Sequence, residues 1–222
     1  MARRGRRVAR ILIVGGGCRG RRFAERMVEQ GHAVRATTRG EAGRAAIEAT
    51  GAECWIGTPD RLATLRGALE NVTVACWMLA CAYGSDEQIV ALHCSRLEFF
   101  LSQAIDTTAR GLIYDAWAVA GGAADAGGVE ADGADARRPT REMLAEGARI
   151  FRSLTELNAI PAVVLEGSGE RLGERPGEGE GLGERAGSGE ERREANQGPH
   201  SEDAAWVAAA CDAVTALLGG DR

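Results

Sequence analysis

The sequence predicts an α/β fold in which a parallel sheet is covered by helices, and three observations carry that prediction. Short β-branched and aliphatic runs of strand length alternate with helical patterns. The first such run, ILIV at 11–14, breaks at once into three glycines ahead of a helical stretch, as happens where a buried strand turns directly into a helix. At 222 residues and 45% hydrophobic, the chain can enclose one sizeable core, so a single domain is expected.

The elements follow in order. RILIV (10–14) reads as a first buried strand, followed by a helix over 20–30 that Gly31 ends. HAVRATT (32–38) is a second strand with Val34 and Ala36 on one side and Arg35 on the other. A short helix near 41–49 leads to AECWI (52–56). Leu62, Leu65 and Leu69 then stand at helical spacing before VTVACWML (72–79). A long helix is predicted from Asp86 to Ile105, with Ile89, His93, Leu97, Phe100 and Ala104 on one stripe. GLIYDAW (111–117) is a fifth strand, and a helix near 140–158 precedes AVVLE (162–166), with Pro161 at the strand's edge.

Residues 118–138 are Ala, Gly and Asp with hardly a large apolar side chain, and read as a loop. From Gly167 to His200 the chain is Gly, Glu and Arg, with Leu172 and Leu182 its only large apolar residues. Such a segment cannot bury enough surface to offset the entropy of ordering it, so 167–200 is expected to be a disordered linker. Beyond it, 201–220 reads as a helix with Ser201 as N-cap and an apolar face through Trp206, Ala210, Val214 and Leu217, docking back on the 8–166 domain.

The net charge of −5 comes entirely from the tract over 166–202, which holds ten Glu and five Arg. The remainder is neutral, with no broad basic field to draw nucleic acid, although Arg3, Arg4, Arg6, Arg7 and Arg10 cluster in or beside an N-terminal arm (1–7). All 27 basic residues are Arg, which excludes any mechanism built on a lysine. The six cysteines form no C-x-x-C pair and the three histidines are scattered, against a zinc site. No apolar run is long enough to span a bilayer and no signal-peptide core is present, so a cytoplasmic protein with reduced thiols is expected.

Gly15, Gly17 and Gly20 form G-x-G-x-x-G between the first strand and the first helix. Each glycine has a physical task there: a tight turn, an approach of bare backbone to a pyrophosphate, and close packing of helix on strand. The helix N-terminus beyond offers unpaired N–H groups and partial positive charge to an anion. An NAD site usually places a carboxylate at the end of the second strand, but here stand Thr37, Thr38 and Arg39, with no acid before Glu41. A guanidinium suits a 2′-phosphate, so NADP is expected ahead of NAD. Arg19, Arg21 and Arg22 flank the loop, where they either assist or stand as exposed helix-start arginines.

The succession VGGGCRG, HAVRATTR, GAECWIGTPD, LRGALENVTVACWMLA, ARGLIYDAW and IPAVVLE resembles the atypical and extended short-chain dehydrogenase/reductase superfamily, the epimerase/dehydratase-like proteins. The resemblance covers roughly 8–166. It implies a Rossmann sheet of order 3-2-1-4-5-6, with the cofactor across the carboxyl ends of the strands. It also implies that an acid contacting adenine is either missing or displaced to Asp60, and that Leu79 and Ala80 line the nicotinamide side. The chain departs from the family's catalytic pattern: a Tyr-x-x-x-Lys beginning at Tyr114 would need Lys at 118, and residue 118 is Ala.

Tyrosine with an unperturbed pKa of about 10 is a poor base at neutral pH without a cationic neighbour. Tyr114, within a strand, is either the proton-transfer group or a core aromatic. Asp115, just beyond the strand's apolar run, is the other candidate for acid–base work; His93 fits a core histidine better. Tyr83, followed by Gly84, Ser85 and Asp86, stands at the expected cleft mouth or in a loop leading to a helix cap. Two functions stay open: an NADP-dependent oxidoreductase or epimerase-like enzyme acting on a small carbonyl or hydroxyl substrate, and a non-catalytic dinucleotide-binding sensor or interaction protein.

Overall fold

Arg10–Val14 form β1, and Ile11, Leu12, Ile13 and Val14 are wholly buried, as expected of a strand covered on both faces. The computed structural model describes residues 8–118, 136–167 and 199–219. The N-terminal arm, most of the expected 118–138 loop and nearly all of the 167–200 tract lie outside the described residues.

Around β1 the parallel sheet adds β2 (Ala33–Thr38), β3 (Glu53–Ile56), β4 (Val74–Trp77), β5 (Gly111–Asp115) and β6 (Ala162–Leu165), in the order β3-β2-β1-β4-β5-β6. This is the expected order, with its switch point between β1 and β4, the place where open sheets of this kind bind ligands at the carboxyl ends of their strands. The helices are α1 (Cys18–Glu29), α2 (Arg44–Glu48), α3 (Asp86–His93), α4 (Ser95–Ile105), α5 (Arg141–Leu157) and α6 (Pro199–Gly219).

Alternation along β1 divides the core into two layers. Ile11 and Ile13 pack with Phe23 and Met27 of α1 and with Trp206, Ala210 and Val214 of α6. Leu12 and Val14 pack on the other face with Leu97 and Phe100 of α4 and Phe151 of α5. Arg35 of β2 also points to that second face, and it is only 7% exposed. Its guanidinium lies 5.0 Å from the Trp55 ring centre, donates to the Ala68 carbonyl at 2.8 Å and pairs with Glu53 at 3.0 Å.

Three expectations are corrected. The helix expected over 86–105 is two helices, because Cys94 adopts φ −116° and ψ −93°. Cys94 still donates to Val90 and accepts from Glu98, so the hydrogen-bond ladder is kept while the axis turns, and both halves lie against α5. The helical spacing over 60–69 is realised as two short 3-10 turns, Leu62–Leu65 and Gly67–Leu69, with the Trp55 ring packed against the bare Cα of Gly67. Finally, α6 starts at Pro199, so Ser201 lies inside the helix and is not its N-cap.

Candidate functional site

The turn from β1 into α1 is built by its glycines. Gly15 has φ +118°, and a Cβ there would fall 2.3 Å from the Met78 carbonyl oxygen, so the end of β4 lies directly on the turn. A Cβ at Gly20 would fall 2.0 Å from the Gly15 carbonyl oxygen, which is the close packing of helix on strand end. Nothing stands within 4 Å of a Cβ built on Gly17. Gly17 is also the N-cap of α1, so the first N–H groups of a twelve-residue helix have no side-chain cap. The turn is tied to β2: Gly16 N–H donates to the Thr37 carbonyl at 2.9 Å and Gly15 N–H to Thr37 Oγ1 at 3.2 Å.

The structure puts the other residues singled out from the sequence in varied surroundings. Arg39, just past β2, is exposed and has no side-chain partner among the described residues. Asp60 accepts from Thr58 Oγ1 at 3.0 Å and pairs with Arg96 of α4 at 2.6 Å. Leu79 borders the glycine turn, its Cδ2 3.1 Å from a Cβ built on Gly15. Ala80 is buried beside it.

Arg19, on the first turn of α1, reaches α6. Its Nε donates to Asp203 at 2.6 Å, Arg22 reaches the same carboxylate at 2.9 Å, and the Arg19 guanidinium lies 5.7 Å from the Trp206 ring centre. Arg19 Nη1 also stands 3.5 Å from Cys81 Sγ. Burial pushes the Cys81 thiol up, with Arg19 and Arg138 acting in the opposite direction.

Asp115 is 1% exposed at the end of β5. Its Oδ1 accepts from Trp206 Nε1 at 3.0 Å and from the Trp117 N–H at 3.1 Å. Burial raises its carboxyl to about 6, against the hydrogen bonds from Trp206 and Trp117 and the charge of Arg19. Tyr114 is wholly buried, with its ring 5.6 Å from Phe151 and its hydroxyl 2.7 Å from His93 Nδ1. Burial pushes the phenol above its ordinary range and lowers His93 to about 4. The imidazole beside the hydroxyl is therefore neutral, and its Nε2 is buried without a hydrogen-bond partner among the described residues.

Sequence reasoning missed the partners. Asp203 and Trp206 stand far along the chain from Arg19 and Asp115; the only local signal was a lone Trp on the apolar face of an Ala-rich helix. Arg138 was also missed. It approaches Tyr83 beyond the carboxyl end of β4, its guanidinium 4.8 Å from the ring centre and its Nε donating to the hydroxyl oxygen. Ser85 is the N-cap of α3, with a reciprocal capping box to Gln88, so that part of the segment is a helix start.

No protein-family model matches the chain, and no curated protein matches it. Solved structures do. The UDP-glucuronic acid 4-epimerase of Bacillus cereus, in complex with UDP-glucuronic acid and NAD, aligns with a TM-score of 0.51 at 14% identity, over 71% of this chain and 55% of that one. A short-chain dehydrogenase/reductase superfamily protein from Agrobacterium tumefaciens with bound NAD aligns at 0.51 and 18% identity, over 71% and 48%. An epimerase from Methanothermobacter thermautotrophicus aligns at 0.52 and 15%, over 71% and 50%. This chain spans about half the length of those proteins. At such identities the likeness is one of fold: the chain has the Rossmann-type fold seen in NAD-bound short-chain dehydrogenase/reductase and epimerase structures.

Proposed function

We propose that residues 8–166 and the last helix form one unit that binds a nicotinamide dinucleotide at the carboxyl ends of the strands, NADP in preference to NAD. The observation that carries this reading is the glycine turn: Gly15 and Gly20 are bare because backbone fills the space, whereas Gly17 is bare beside open space at an uncapped helix N-terminus. Those residues fit a pyrophosphate, which needs close approach to backbone N–H groups. Arg39 is available to a 2′-phosphate, and the nearest acid along the chain, Glu41, is paired with Arg44 at 2.6 Å.

A bound nicotinamide supplies hydride transfer, which makes an oxidoreductase or epimerase-like activity on a small carbonyl or hydroxyl compound the first functional reading. In this reading Tyr114 and Asp115 have structural tasks, since each is buried and committed to partners within the core. The same observation favours a second reading, a dinucleotide-binding sensor without turnover. No helix among the described residues is long and apolar enough to cross a membrane; a cytoplasmic setting belongs to the proposal.

The test is titration with NADPH and NADH followed by tryptophan fluorescence. Saturable binding that is tighter for NADPH is expected. Arg39→Asp should erase the preference, a change of about tenfold or more for loss of a charge-assisted contact. Absence of binding by either nucleotide at about millimolar concentration, far above an ordinary cofactor affinity, would refute the reading.

A further inference from the structure

We propose that Tyr83 and Arg138 form a binding site for a small organic carboxylate whose neighbouring carbon carries a carbonyl or hydroxyl oxygen. The inference names the substrate class for the reading above and rests on it for its functional meaning. Its geometry stands independently of any nucleotide.

Tyr83 follows β4 by six residues and Arg138 precedes α5 by three, so both come from segments at the carboxyl end of the sheet. They are held together by backbone. Gly84 N–H donates to the Arg137 carbonyl at 3.2 Å, and Arg137 N–H donates to the Gly84 carbonyl at 2.8 Å. The capping box at Ser85 fixes the chain on one side of that bridge, and the Thr140 cap of α5, which accepts from Met143 N–H at 3.3 Å, fixes it on the other. The pair is therefore organised before any ligand arrives, which lowers the entropy lost on binding.

The donors that remain define the ligand. Arg138 uses Nε on the Tyr83 oxygen, which leaves the Nη1 and Nη2 end of the guanidinium as a planar fork. Arg138 makes no ion pair among the described residues, although it is half-buried. A cation in that position favours a carboxylate, and the fork accepts one bidentately. The Tyr83 oxygen already accepts from Arg138, so its own hydrogen is turned elsewhere, and no described group takes it. That hydrogen suits a second oxygen adjacent to the carboxylate, as in a 2-oxo or 2-hydroxy acid.

The location agrees with the switch point between β1 and β4. Cys81, two residues before Tyr83, feels the charges of both Arg138 and Arg19, and Arg19 belongs to the first turn after the glycines. Arg137 on the same bridge is compensated by Asp86 at 3.8 Å, so Arg138 is the cation of the pair that a ligand can meet. Tyr114 has no comparable opening, because its hydroxyl is enclosed by His93, Leu144 and Gly147.

The experiment uses the full chain and three probes: pyruvate, acetone, which lacks the carboxylate, and acetate, which lacks the carbonyl. Binding is read by saturation-transfer NMR and calorimetry, with NADPH titrated separately on the same samples. Pyruvate should bind measurably more tightly than either partial probe. Arg138→Gln should weaken it about tenfold or more, while NADPH affinity stays within about twofold. Tyr83→Phe keeps the ring under the guanidinium and should bring pyruvate close to acetate. Far-UV circular dichroism and thermal midpoints confirm that each variant is folded. Failure of wild-type protein to bind pyruvate, or equal binding by Arg138→Gln, would overturn the site. Loss of NADPH binding in wild-type protein with pyruvate binding intact would overturn the nucleotide reading alone.

Discussion

Replacing Asp115 by Asn should stabilise the protein near neutrality, by an amount that depends on pH in a defined direction. Burial lifts the carboxyl from 3.8 to about 6. A group whose pKa is raised on folding binds its proton more tightly in the folded state, so its contribution is most favourable below the unfolded value and is lost as pH rises through the folded value. At about 1.4 kcal/mol per pH unit, the roughly two-unit interval corresponds to about 3 kcal/mol. Asn keeps an oxygen to accept from Trp206 Nε1 and the Trp117 N–H, but carries no charge.

The assay is urea denaturation of both proteins at several pH values between about 2.5 and about 7.5, a window that brackets the interval from the unfolded to the folded value of Asp115. His93 is common to both proteins, and its own titration cancels to first order in the difference. The stability of the Asn variant relative to wild type should rise by about 3 kcal/mol from acid to neutral pH and then level off. A difference that is flat with pH, or that falls as pH rises, would show that the Arg19 charge outweighs burial and that the ionised carboxylate is welcome beneath Trp206.

The glycines of the β1–α1 turn make separable predictions. Gly17→Ala should fold with a thermal midpoint close to wild type, because its φ of −67° is ordinary and the space beyond is open. It should still weaken NADPH binding, because the methyl group enters the space assigned to the pyrophosphate. Gly20→Ala should destabilise by about 1–3 kcal/mol or more, since its Cβ meets backbone that cannot yield, and denaturant midpoints will report it. In α5, a Cβ at Gly147 would fall 2.1 Å from the Tyr114 hydroxyl. Gly147→Ala should therefore cost about 1–3 kcal/mol, and adding Tyr114→Phe should recover part of it in a double-mutant cycle. Strict additivity of the two changes would refute that contact.

Local pattern made the scaffold legible. Four consecutive apolar residues at Ile11–Val14 read as a covered strand, and the glycines after them fixed where strand becomes helix, because both requirements are met by neighbours in sequence. The stripe Ile89, His93, Leu97, Phe100 and Ala104 was also correct as a buried face. The break at Cys94 was not legible, since no Pro or Gly marks it and α5, which both halves pack against, comes from about fifty residues on. The helical spacing over 60–69 misled because Leu62 and Leu65 are three apart, a separation that serves a 3-10 turn as well as an α-helix.

Residue type and spacing were enough to set the alternation of strands and helices and the glycine turn at 15–20, because each depends on neighbours in sequence. Only the tertiary structure decided what the charged and polar groups do. Arg19 meets Asp203 across 184 positions, Asp115 meets Trp206 across 91, and Arg138 meets Tyr83 across 55. A side chain's charge is written in its type, but its partner, and hence the work that charge performs, depends on which distant segments the packed sheet brings within hydrogen-bond reach.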